Sequence, residues 1–74
     1  MPRLPVVNGR EAVRAFEELG WQVVRQSSSH IILVKDDHPA TLSVPDHDEV
    51  AKGTLRSLIR TASLTVAEFV SALP

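Results

Sequence analysis

The sequence predicts an α+β fold: a three-stranded antiparallel sheet with helices packed on one face, in the order α-β-β-β-α-α. Two kinds of periodicity and one kind of punctuation predict it. Apolar residues recur at three- and four-residue steps over residues 9–19 and 52–62, the pattern of amphipathic helices. Between them lie three short apolar or alternating runs separated by polar turns, the pattern of strands joined by tight connections. Capping boxes stand before the first helical stretch and before a short last one.

Met1 to Val7 holds Pro2, Arg3 and Pro5 and reads as an extended arm, with Val6 and Val7 available to pack beside the first helix. Asn8 is a good N-cap, and Glu11 three residues on completes the box, so a helix is expected from Gly9 to Leu19. Ala12, Val13, Phe16 and Leu19 form its apolar side, while Arg10, Arg14, Glu17 and Glu18 fill the other. Gly20 suits the left-handed position that ends a helix. Trp21 to Gln26 alternates loosely and predicts the first strand, with Trp21 and Val23 against Gln22.

Three serines, Ser27 to Ser29, then turn the chain into a second strand from His30 to Lys35. Its unbroken Ile31-Ile32-Leu33-Val34 run marks a central strand, covered on one face and partly protected on the other. Asp36 to Pro39 is a turn by composition. Ala40 to Val44 alternates Leu42 and Val44 with Thr41 and Ser43, a third strand with one wet face that Pro45 ends. After the acidic loop Asp46 to Glu49, a second helix is expected from Lys52 or Gly53 to Ala62. Leu55, Leu58, Ile59 and Ala62 face its core side, and Lys52, Arg56 and Arg60 recur every fourth residue on another. Thr65 and Glu68 open the last helix, with Val66, Phe69, Val70 and Leu73 as its apolar contacts.

Composition narrows the function classes. Seventy-four residues are expected to form one domain, near the lower limit for folding around a single core, and with no cysteine there is neither a disulfide nor a thiolate zinc site to help. No apolar run approaches the roughly 20 residues that span a bilayer, and no signal-peptide core is visible, so a cytoplasmic location is expected. A formal net charge of −1 argues against strong non-specific nucleic-acid binding, so any RNA contact has to rest on a local patch.

The stretch most suited to chemistry is Arg25 to Val34, where an ionisable imidazole, His30, stands at a strand end beside a polar loop. A rigid strand holds such a side chain while its tip stays open to a ligand. The commoner meaning of a lone histidine is a surface residue that merely ends a strand. Arg25 lies near it in sequence as a candidate for charge at a phosphate, and the hydroxyls of Ser28 and Ser29 either bond phosphate oxygens or simply make a polar turn. Lys52, Arg56 and Arg60 hold phosphates, meet an acidic protein surface, or form an ordinary solvated helix face. His47 with Asp46, Asp48 or His38 has no recognised metal-ligand spacing, so no metal site and no cofactor are expected.

The ordered series of short motifs resembles the HicA toxins of bacterial toxin–antitoxin pairs, also called YcfA-like proteins. It runs through Leu4-Pro5-Val6-Val7 with Gly9, Leu19-Gly20-Trp21, Arg25-Gln26 and Ser29-His30 before an apolar strand. It continues with Val44-Pro45 followed by His47, Gly53-Thr54-Leu55-Arg56 with Leu58, Ile59 and Arg60, then Ser63-Leu64-Thr65 with Glu68-Phe69. The resemblance implies a fold like that of the double-stranded-RNA-binding domain. It also implies a toxin of the type II class, a small ribonuclease that cleaves messenger RNA, halts growth and is neutralised by a HicB-type antitoxin, in a complex open to higher-order assembly. The family's catalytic histidine, in a Gly-Ser-His motif, falls on His30, with Ser28 at the glycine position. His47 falls on a recurrent Pro-x-His position, as a second proton carrier or a phosphate contact, or else as a loop residue bonded to its neighbours.

Metal-free RNA cleavage needs a base for the 2′-hydroxyl proton, an acid for the leaving 5′-oxygen and positive charge near the phosphate. With an ordinary pKa of about 6.5, histidine is suited to the proton work. Two other classes remain open from sequence: an RNA-binding module that blocks translation without cutting, and a pure protein-interaction domain.

Overall fold

The computed structural model describes residues 3–74; Met1 and Pro2, the start of the expected arm, lie outside them. The elements run α1 (Gly9–Glu18), β1 (Gln22–Gln26), β2 (His30–Val34), β3 (Thr41–Pro45), α2 (Lys52–Thr61) and α3 (Val66–Ala72). The strands form one antiparallel sheet in the order β1-β2-β3, so the most apolar strand is central as its composition requires.

The alternation of side chains across the pleat divides the sheet into two faces. Ile31, Leu33, Leu42 and Val44 are buried against the helices together with Phe16, Leu55, Ile59 and Phe69. His30, Thr41 and Ser43 are exposed on the other face, and Ile32 and Val34 are half-buried there. Among the described residues that second face carries no helix, since the apolar sides of α1, α2 and α3 all belong to the one core. The rings of Phe16 and Phe69 meet at 5.1 Å and 50°, tying α1 to α3.

The caps fall where the sequence puts them. Asn8 Oδ1 accepts from Glu11 N–H at 2.8 Å while Glu11 Oε1 accepts from Asn8 N–H at 3.0 Å. Thr65 and Glu68 repeat the arrangement at 3.1 and 2.9 Å. Gly20, just past the Leu19 C-cap, has φ +100°, the left-handed conformation that favours glycine.

Two expectations need correction. β1 does not alternate: its register slips between Val23 and Arg25, and all five residues are exposed, Val23 by 39% and Val24 by 57%. A bulge adds a residue to one strand, so the loose sequence alternation cannot persist through it, and an edge strand has a neighbour on one side only. Trp21, expected in this strand, is buried just before it, against the His38 imidazole at 5.0 Å. In the arm it is Leu4 and Val7 that are buried, at 3% and 2%, while Val6 is 67% exposed.

Candidate active site

His30 is the first residue of β2, opposite Pro45 of β3, and its side chain is exposed on the helix-free face. The serine loop before it is built from hydroxyl contacts. Ser27 N–H donates to the His30 carbonyl at 2.9 Å, His30 N–H donates to Ser27 Oγ at 3.2 Å, and Ser27 Oγ also reaches the His30 carbonyl at 3.3 Å. Ser29 Oγ lies 3.0 Å from His30 Nδ1. Ser28 occupies the tip. Among the described residues, positive φ is confined to Gly20, Asp37 and Ser63, so serine sits at the Gly-Ser-His glycine position without a left-handed backbone.

The far end of β3 pins this loop. Asp46 N–H donates to the Ser29 carbonyl at 2.9 Å, which extends the β2–β3 ladder one step past His30 and Pro45. Gly9 N–H in turn donates to the His47 carbonyl at 2.9 Å, docking the start of α1 on the same segment. The approach is close enough to require glycine: a Cβ there would collide with the Pro45 carbonyl oxygen and lie 2.9 Å from Asp46 Cα. Arg10 reaches Asp46 Oδ2 at 3.4 Å, a long and largely exposed pair that adds little stability. Sequence reasoning did not anticipate the Arg10–Asp46 pair or the Asp46–Ser29 contact, because residues so far apart in the chain leave no local signal.

The structure gathers some of the candidates and separates others. Arg25 pairs with Ile32, two residues along β2 from His30, so Arg25 and His30 share the open face as diagonal neighbours. Val24, Arg25, Ser27 and Ile32 line a shallow depression of about 460 Å³ on the sheet. His47 lies two residues beyond Pro45, the partner of His30, so both residues belong to one end of the sheet. Lys52, Arg56 and Arg60 stand on α2 in the helical layer, away from the open face.

His38 is at the other end, in the β2–β3 connection. There its Nδ1 accepts from Ala40 N–H at 3.1 Å, which puts the ring proton on Nε2, 3.1 Å from Ser63 Oγ. It braces two loops and does not approach His30. Among the described residues no three His, Cys, Asp or Glu side chains are grouped to hold a metal ion, and no helix is long and apolar enough to cross a membrane.

An exposed imidazole on a pinned hairpin, with an arginine on the same face and a second histidine at the same end, is an arrangement able to move protons at a bound phosphodiester. No curated protein matches this chain. The model of the family described as HicA toxin of bacterial toxin-antitoxin matches residues 9–64, from the first residue of α1 to just before α3. The three-stranded sheet, the serine hairpin, His30 and His47 all fall within that match, and the chain belongs to the HicA toxin family of bacterial toxin–antitoxin systems.

Proposed function

We propose that this toxin-family chain is a metal-independent endoribonuclease that cleaves messenger RNA, with His30 as its general base. His30 takes the proton of a 2′-hydroxyl, the resulting oxygen attacks the adjacent phosphorus, and the 5′-oxygen leaves with a proton. The products end in a 2′,3′-cyclic phosphate and a 5′-hydroxyl. His47, at the same end of the sheet, supplies the leaving-group proton, and Arg25 stands where the phosphate gathers negative charge. The single observation that carries the reading is the exposure of His30 on an open sheet face, fixed at its base by the Ser27 and Ser29 contacts.

A HicB-type antitoxin silences the toxin by covering this face, and Lys52, Arg56 and Arg60, on the helical layer, offer the antitoxin or the RNA backbone a second basic contact. The setting is cytoplasmic, where messenger RNA is translated. The experiment that tests the chemistry is mass spectrometry of RNA fragments, alongside a substrate carrying a 2′-deoxy sugar at the cleaved position. Cyclic-phosphate ends and a resistant deoxy substrate are expected. Cleavage of the deoxy substrate would exclude 2′-hydroxyl attack, and RNA binding without fragments would replace the ribonuclease with an occupancy mechanism.

A further inference from the structure

We infer that Ser29 sets the proton arrangement of the His30 ring: its Oγ accepts the Nδ1–H proton, leaving Nε2 bare and basic on the open face. This rests on the reading of His30 as general base. A neutral imidazole carries its one proton on either nitrogen, and a serine hydroxyl can accept from Nδ1–H or donate to a bare Nδ1; a general base on the open face requires the first. Nδ1 is the nitrogen engaged inside the hairpin, 3.0 Å from Ser29 Oγ, so Nε2 is the one left to meet a 2′-hydroxyl. With the proton on Nε2, the ring would present a donor where the reaction needs an acceptor.

Ser29 is held for this task from both sides. Asp46 N–H fixes its carbonyl at 2.9 Å, and Ser27 clamps the His30 backbone through both N–H and C=O. The contact joins adjacent residues on a fixed backbone, so little side-chain freedom is lost in making it. The charged and titratable groups at this end are Arg25 from β1, Asp46 and His47 beyond β3, and Arg10 from α1, which is turned to Asp46. Among the described residues no carboxylate bonds to the His30 ring, so a hydroxyl fills the orienting place that an aspartate holds in a Ser-His-Asp triad. Ser29 is thereby a positioning residue, whereas its sequence neighbourhood alone left it as a phosphate ligand or part of a plain polar turn.

The test is two-bond proton–nitrogen correlation NMR of the His30 ring, recorded on its neutral form. It is run on the native protein, Ser29→Ala and Ser29→Thr, with single-turnover cleavage measured in parallel. The native ring is expected to carry its proton on Nδ1. Ser29→Ala shifts the ring toward the Nε2–H form and lowers the cleavage rate about three- to tenfold at unchanged KM, the reach of a hydrogen bond of modest net strength. Ser29→Thr, which keeps the hydroxyl, restores both. A native ring protonated on Nε2, or an alanine variant whose ring is unchanged and whose KM rises, overturns the inference. The spectrum needs no turnover: an inactive native protein with an Nδ1–H ring would sink the ribonuclease reading and leave the Ser29 contact standing. Full activity with an Nε2–H ring would sink only the role of Ser29.

Discussion

His30 points into solvent because of one register choice: pairing it with Pro45 puts Ile31 and Leu33 on the helix side and every second side chain on the open side. Arg25 reaches the same face through the bulge that precedes it. Replacing Arg25 with alanine is therefore expected to weaken RNA binding and to reduce the slope of log affinity against log salt by about 0.7, one phosphate contact on a single strand. An unchanged slope in a fluorescence-anisotropy titration would remove Arg25 from the interface. Ser28 has no left-handed backbone to relieve, so Ser28→Gly is expected to cost about 0.5–1 kcal/mol through chain entropy, measured by urea unfolding. A stabilised glycine variant would show that the loop does need the glycine conformation. At this scale the sequence made His30, Arg25 and the serines visible as candidates. It did not reveal the bond from Asp46 N–H to the Ser29 carbonyl, since those two residues meet only after the sheet has formed.

The helices differ in how well their ends are finished. α1 and α3 begin with reciprocal capping boxes, whereas the N-cap of α2 is Ala51, whose side chain caps nothing. Ala51→Asp is expected to stabilise the fold by about 1 kcal/mol, adding both a cap and a charge suited to the helix N-terminus. Gly53, in the first turn of α2, would have nothing within 4 Å of an added Cβ, so Gly53→Ala is expected to stabilise by up to about 1 kcal/mol. Gly9→Ala, by contrast, forces the Pro45–Asp46 backbone away and loosens the hairpin anchor.

The α3 box also carries a pH signature. Hydrogen bonding from Thr65, its backbone N–H above all, holds the Glu68 carboxyl below its usual range. A lowered carboxyl contributes stability that is present above its unfolded pKa and is lost as pH falls through the folded one. Glu68→Gln should therefore flatten the acid limb of a plot of urea midpoint against pH, and an unchanged limb would remove the box from acid stability. Periodicity and caps made all three helices legible to within about a residue or two. The bulge in β1 was not legible, because Val23-Val24 looks the same whether or not a ladder slips between them.

For the whole molecule, one apolar cluster spans the sheet and all three helices, and Phe69 is fully buried within it. Phe69→Ala is expected to cost about 3–5 kcal/mol, a large share of the roughly 5–15 kcal/mol that small domains possess, and so to release α3 in thermal unfolding. The same core takes all three aromatic residues, with Phe16, Trp21 and Phe69 at 0%, 2% and 0% exposure. The open face thus has no aromatic platform for stacking bases, and a net charge of −1 gives no broad basic field. On the proposed reading, RNA held there depends on local contacts, which places the weight of the proposed function on the hairpin. The three-stranded plan was legible because a five-residue central strand and two capping boxes leave few ways to bury the apolar residues. The placement of Lys52, Arg56 and Arg60 in the helical layer was not, since it depends on which layer α2 joins. The most direct test of the central claim is cleavage of end-labelled single-stranded RNA in EDTA by the native protein and by His30→Ala, with circular dichroism matched between the two. The expected result is metal-free cutting by the native protein and a loss of roughly 10²–10⁴-fold in the variant, the span of one general acid–base group. Equal cutting by both proteins would contradict the account and take His30 out of the mechanism.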